Sequence, residues 1–291
     1  MDLSRVKQHV PWPAKIAAKL VLSRLPVDYR SWSDRGLFRH GEMDDPSYAW
    51  GVVSRHVDRA LAAGVAKPFT LLELGPGDSA ASAAVSRALG ASRVYLVDAG
   101  AYARTDLRDW RAVAAFLRDR GLDAPEIGSN ATLGSLLDAV NAEYVTDGID
   151  GLRRIPDASV DVVFSHAVLE HVRAGEFEDV QRELRRVLAP GGVASHTVDL
   201  RDHLHESLNN LRFPSRLWET GPVHRGGFYT NRIGYDECLA IFARAGFSAE
   251  VVDVERWPRV PVPRRALARE FRHRTDEALR IWGFDVLLRP A

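Results

Sequence analysis

Two groups of residues in this chain have the types and spacing to do chemistry. The first is Glu73-Leu74-Gly75-Pro76-Gly77-Asp78-Ser79, preceded by the apolar run Thr70-Leu71-Leu72 and followed by Val94-Tyr95-Leu96-Val97-Asp98. An apolar strand, a glycine turn, a helix of small residues and a second strand ending in a carboxylate read together as a nucleoside-cofactor site. Gly75 and Gly77 permit a tight turn and a close approach of backbone to ligand. A helix starting near Asp78 or Ser79 offers unpaired N–H groups and the positive end of its dipole. Asp98 stands where a carboxylate accepts hydrogen bonds from ribose hydroxyls. The second group is Ser195-His196-Thr197-Val198-Asp199-Leu200-Arg201-Asp202-His203. Histidine titrates near neutrality, and a His196–Asp199 pair could act as an oriented base. His196, Asp199, Asp202 and His203 are also metal-ligand types, but their spacing matches no metal motif, and no metal is expected.

The turn also fits the loose G-x-G-x-x-G/A fingerprint of nicotinamide and flavin enzymes. Pro76 removes an N–H from the loop that would hold a pyrophosphate. Glu73 puts a carboxylate beside the turn, awkward for a diphosphate and welcome for a cationic ligand. An NAD(P)-dependent oxidoreductase is therefore the alternative reading.

The elements that must position these residues follow from periodicity. At 291 residues, 46% of them hydrophobic, the chain is long enough for one large α/β domain with appendages. Residues 1–65 read as an N-terminal helical extension or lid, in which the polar turn Phe38–Pro46, with His40, could form a flap over the cofactor. Residues 66–291 read as the cofactor-binding domain. Strands are predicted at Thr70–Leu74, Arg93–Asp98, Ala142–Thr146, Val160–Ser165, Val193–Val198, Ala249–Val254 and Phe284–Leu288. The helices between them include one carrying Phe177, Val180, Leu184, Val187 and Leu188 on one face, ended by Pro190-Gly191-Gly192. Such alternation implies a mainly parallel sheet covered on both faces.

Zero formal net charge gives no reason to expect nucleic acid or an anionic membrane as partner. No apolar run approaches the ~20 residues of a membrane span, so a cytoplasmic location is expected. The single cysteine, Cys238, reads as a buried thiol in a helix.

Four stretches in this order resemble the class I S-adenosylmethionine-dependent methyltransferases over about residues 69–290. They are Glu73 to Gly77; Asp98; Ile155 to Val172, with its Leu169-Glu170-His171 ending; and Glu183 to Gly192. The resemblance implies a Rossmann-like, seven-stranded, mostly parallel sheet whose last strand runs antiparallel between the fifth and sixth. It implies S-adenosyl-L-methionine as cofactor and S-adenosyl-L-homocysteine as product. Glu73, Gly75, Pro76, Gly77 and Ser79 would lie near the methionine end, Asp98 at the ribose and Ala99 beside the adenine. Asp150 and Gly151 are the candidates for a further adenine contact, and Ser165 and His166 would close the pocket floor. His171 would be structural or a wall of the pocket.

Methyl transfer is an in-line displacement whose catalysis rests largely on alignment, and an oxygen acceptor usually also needs a base. His196 and Asp199 are the candidates for that base. The acceptor wall would draw on His40, His203, Trp218, Tyr229, Asn231 and Arg232. The expected activity is methylation, with oxygen favoured, of a small-molecule or glycosylated metabolite such as a natural product or saccharide, by a monomer or homodimer. A non-methylating S-adenosylmethionine binder is the remaining alternative.

Overall fold

The computed structural model describes residues 11–22 and 42–291. Residues 38–41 of the proposed flap, His40 among them, lie outside the described residues. Seven strands form one sheet in the order β3-β2-β1-β4-β5-β7-β6. They are β1 (Phe69–Leu74), β2 (Ala91–Val97), β3 (Ala142–Val145), β4 (Val160–His166), β5 (Leu188–Asp199), β6 (Phe247–Arg256) and β7 (Ile281–Pro290). β1 to β5 pair in parallel, and β7 runs antiparallel between β5 and β6. This is the Rossmann-like arrangement that the resemblance implied.

The central strands are apolar along their whole length because both faces are covered. On one face Leu71, Val94, Leu96, Val162 and Phe164 join a core with helix α2 (Pro46–Ala62), α3 (Ser82–Ala88) and α4 (Arg108–Asp119). On the other, Leu72, Val97, Val163, Ala194 and Val286 pack with α7 (Phe177–Val187) and α10 (Tyr235–Arg244). The remaining helices are α1 (Trp12–Leu22), α5 (Leu133–Ala139), α6 (Gly148–Arg154), the single turns α8 (Ser215–Trp218) and α9 (Gly221–His224), and α11 (Asp276–Arg280). α2 starts on a good N-cap: the Asp45 side chain accepts from Tyr48 N, and Pro46 occupies the first turn. Its buried stripe is Ala49, Val52, Val53, His56, Val57 and Ala60, so this part of the N-terminal segment is built into the core.

Three elements differ from the sequence expectation. The helix after the glycine turn begins at Ser82 rather than Asp78 or Ser79. Ser79 is fully buried and donates to Asp109 of α4 at 2.5 Å, while its oxygen accepts from Ala81 N. These bonds hold Gly75–Ala81 as a loop, and the helix after it has only seven residues. β5 begins at Leu188, not Val193: Val160 pairs with Leu188 and Val162 with Val193, so Pro190-Gly191-Gly192 forms a bulge inside the strand. Residues 148–154 form α6, a short helix without a clear apolar period.

Candidate functional site

The carboxyl ends of β1, β2 and β4 converge on the glycine turn. Gly75 and Gly77 adopt φ of +76° and +66°, a left-handed region that favours glycine. A Cβ at Gly75 would meet Val168 Cγ1 at 2.5 Å, so the turn lies directly against the segment that leaves β4. Asp98 joins this turn to the end of β2, since its carboxylate accepts from Gly77 N at 3.0 Å and Ala99 N at 2.7 Å. Burial pushes its pKa up to about 6, against the lowering effect of those two N–H groups. Glu73 is also buried and accepts from the Ser82 hydroxyl of α3; burial raises its carboxyl to about 8.

The loop after β2 is locked onto the same place. The Tyr144 hydroxyl accepts from Tyr102 N and Ala103 N and donates to Gly100 O. Arg104 N donates to Asp78 O, and the Arg104 side chain reaches Asp44, just before α2, at 3.4 Å. The described residues 42–45 thus stand beside the glycine turn and the loop after β2.

The adenine-side assignment needs correcting. Asp150 points to solvent and pairs with Arg153 at 2.8 Å. Gly151 faces Val145 and lines an indentation of about 200 Å³ beside Arg93, Tyr95 and Glu143, which opens on the face away from α2. The residue that sits against Asp98 is Gly148. Its N–H donates to Asp98 O at 2.8 Å, and a Cβ there would meet Ala99 Cα at 3.7 Å. Unforeseen as a helix, α6 shifted the assignment by one turn; the Asp147-Gly148 pair directly after β3 was the legible signal.

The proposed His196–Asp199 base is not assembled. Three residues apart on a strand, the two side chains leave opposite faces of the sheet. His196 is fully buried under α10, stacked on Phe242 and 2.8 Å from the Ser165 hydroxyl. Burial drives its pKa down to about 3. Ser165 is consumed in that same pair. Asp199, on the α2 face, accepts from Arg201 N, Nε and Nη2 at 2.9 Å each. Asp202 is a buried hub for the N–H groups of Leu204, His205 and Asn209. His196, Asp199, Asp202 and His203 therefore do not share a ligand site.

His166, at the end of β4, is half-buried on the α2 face. Its ring lies edge-on to Tyr48 and to His56 of α2, with centroids 6.1 and 5.9 Å away. Its Nδ1 is buried without a hydrogen-bond partner. Burial, then the charge of Arg55, holds its pKa below the usual histidine value and so favours the neutral ring. His56 is fully buried, stacked on Phe164, with Nδ1 2.8 Å from the Ser195 hydroxyl. The sequence signal for His56 was one polar residue on the apolar stripe of α2.

Most of the predicted acceptor wall points inward. Trp218 is buried and donates through Nε1 to Thr230 O. Tyr229 donates to Glu219 and accepts from Ala174 N. Arg232 spans Phe213 O, Ser215 and Glu219. Asn231 ties this segment to the turn after β4: its Nδ2 donates to Leu169 O and Val172 O, and its Oδ1 accepts from Ile233 N. These side chains hold residues 204–232 together, and α1 packs on that segment through Trp12 against Phe213 and Lys15 Nζ to Leu204 O. Among the described residues of this set only His203 is exposed, stacked on His171 with centroids 4.7 Å apart. Asn231→Ala should cost about 2–4 kcal/mol, from three buried bonds at roughly 1 kcal/mol each plus unmet partners. Urea unfolding checks this; an unchanged midpoint would mean that Asn231 is not the tie described.

Residues 72–195 match the family profile described as a methyltransferase domain. No match is found among the curated proteins. Solved structures similar to this chain include an S-adenosylmethionine-dependent methyltransferase from Mesorhizobium loti (18% identity, 80% of this chain and 96% of that one, TM-score 0.43). Another is a methyltransferase of the same cofactor dependence from Methanosarcina mazei (16%, 79% and 96%, 0.46). A third is phosphoethanolamine N-methyltransferase 2 from Haemonchus contortus, in complex with S-adenosylhomocysteine (17%, 74% and 40%, 0.41).

Proposed function

We propose that the chain is a class I S-adenosylmethionine-dependent methyltransferase, a reading supported by the match of residues 72–195 to a methyltransferase-domain profile, and that it methylates an oxygen of a small polar or glycosylated metabolite. S-adenosylmethionine is its cofactor, and the carboxyl edge of the sheet fits that ligand. The Asp98 carboxylate accepts two backbone N–H groups and keeps acceptor capacity for two ribose hydroxyls. Without a side chain, Gly75 leaves room against Val168. In our reading the backbone of Ala99 and Gly148 borders the adenine, and Glu73 with the Gly75–Gly77 turn borders the methionine end. When bound, the cofactor supplies an already activated methyl group, so the protein's share is alignment and removal of one proton.

The observation that carries the oxygen-acceptor reading is His166. It is an imidazole at the end of β4 whose neutral form burial favours, with a buried Nδ1 that has no partner, and it replaces His196 as the proposed base. Tyr48 and His56 would hold its ring. Of the N-terminal extension, residues 1–65, we read the described helix α1 as part of a lid over the acceptor side, which its contacts with Leu204 and Phe213 support. No described helix is long and apolar enough to cross a membrane. We further read the chain as cytoplasmic, a monomer or homodimer, and acting on no nucleic acid.

Incubation with methyl-labelled cofactor and a panel of phenols, polyols and sugars tests the proposal. Label should appear as an ether, and His166→Ala should lower kcat by about 10²–10⁴-fold while the cofactor Kd stays within a few-fold. Label on nitrogen or sulfur only, or undiminished turnover in the variant, would overturn it.

A further inference from the structure

A second chemical centre lies on the same edge of the sheet, on residues that the proposed cofactor site and base do not use. Glu170 and His171 form the 3₁₀ turn after β4 (Leu169–His171), and His203 follows the end of β5. One ligand atom from each of the three lies within 4.8 Å of the others. Glu170 is 2% exposed, and neither of its carboxylate oxygens has a hydrogen-bond partner. A buried carboxyl left in that condition holds either a proton or a cation.

His171 is anchored by a backbone carbonyl. Its Nδ1 lies 3.0 Å from Tyr229 O. A carbonyl can only accept, so Nδ1 carries the proton and Nε2 the lone pair. A backbone carbonyl fixing the far nitrogen is the usual support of a metal-bound imidazole. Asn231 pins the turn from behind through Leu169 O and Val172 O. The Asp202 hub sets the position of the loop that carries His203. Both tethers are buried, whereas His171 and His203 stand at the surface.

We propose that Glu170, His171 and His203 bind one divalent first-row metal ion, with open positions facing the acceptor side. Two imidazoles and one carboxylate suit zinc, manganese, iron or cobalt better than the all-oxygen preference of magnesium or calcium. Three protein ligands leave room for exogenous oxygen, the pattern of a substrate-binding rather than a structural centre. The three side chains contribute one negative charge, so the bound ion keeps a net positive charge. It would select an acceptor that presents two neighbouring oxygens. That use of the centre, unlike the binding itself, rests on the methyltransferase reading.

The test is cobalt titration of the full-length, chelator-stripped protein, read by its visible absorption, with zinc added as competitor. One equivalent should bind per chain. His203→Ala and His171→Ala should each raise the cobalt Kd at least tenfold, and His273→Ala, a surface histidine elsewhere, should not. Circular dichroism checks that the variants fold, and His203→Ala changes only an exposed side chain. No stoichiometric cobalt binding, or binding indifferent to both variants, overturns the proposal. S-adenosylmethionine titration of the same samples separates the two readings. Its loss in the unmodified protein would sink the proposed methyl transfer and leave the metal result standing.

Discussion

Replacing Asp98 by alanine is expected to weaken S-adenosylmethionine binding by roughly ten- to one-hundred-fold, the value of a hydrogen bond to a charged group at about 1.5–3 kcal/mol. The expectation rests on what the carboxylate does before any ligand arrives. It already accepts Gly77 N and Ala99 N, so it sets the distance between the glycine turn and the end of β2. The alanine variant loses both the ribose acceptor and that brace, and Asp98→Asn separates them. An asparagine oxygen can keep one N–H bond and one ribose hydroxyl without the charge, so its loss should be intermediate. Affinity should also depend on pH with a definite sign. Hydroxyl donors favour the ionised carboxylate, and burial has pushed its pKa up to about 6. Binding should therefore be full well above pH 6 and fall as pH drops through that value. Isothermal titration between pH 5 and 8 measures both effects. An affinity that is flat with pH and unchanged in the alanine variant would remove Asp98 from the site.

The donor side of this protein was legible because its signals are local. Glycines at positive φ, an acid at the end of an apolar strand, and the Leu169-Glu170-His171 turn each depend on a few neighbouring residues. Strand–helix alternation implied a mainly parallel sheet, and the place of the antiparallel last strand followed from the family resemblance. What failed depended on partners distant in sequence. His196 and Asp199 looked like a pair because they lie three residues apart, yet that spacing on a strand sends them to opposite faces. Tyr229, Asn231 and Arg232 looked like a polar binding wall, but their partners are backbone groups and side chains up to 62 residues away. A sequence displays polar side chains without displaying who satisfies them. Glu170 is the converse. Within the Leu169-Glu170-His171 turn nothing in the sequence marks it as a site residue, and only tertiary structure reveals that both its oxygens lack a partner.

The stability of the protein without cofactor should fall steadily as pH rises from about 5 to 8, and Glu73→Gln should remove the share of that fall that Glu73 causes, with the buried carboxyls of Asp98 and Glu170 causing the rest. Burial raises the Glu73 carboxyl from 4.5 to about 8 in the folded chain, and its bond from Ser82 only partly opposes this. Below the unfolded value both states are protonated, and the contribution is fully present. Between the two values the unfolded chain has lost its proton and the folded chain keeps it. Stability therefore declines by about 1.4 kcal/mol per pH unit, until Glu73 ionises in the folded state near pH 8. The whole window amounts to roughly 4–5 kcal/mol, a large share of the 5–15 kcal/mol typical of a domain. Glutamine is neutral in both states, so its urea midpoint should be nearly flat with respect to Glu73 over this range and should exceed that of the unmodified protein at pH 8. Equal slopes in the two proteins would mean that Glu73 is ionised in the fold. The cofactor supplies the second half of the test. If Glu73 borders the cationic methionine end, ligand binding favours its ionised form, and affinity for S-adenosylmethionine rises as pH approaches 8 in the unmodified protein but not in Glu73→Gln. If Glu73 serves only to brace α3, the two proteins share one pH profile for binding and differ only in stability.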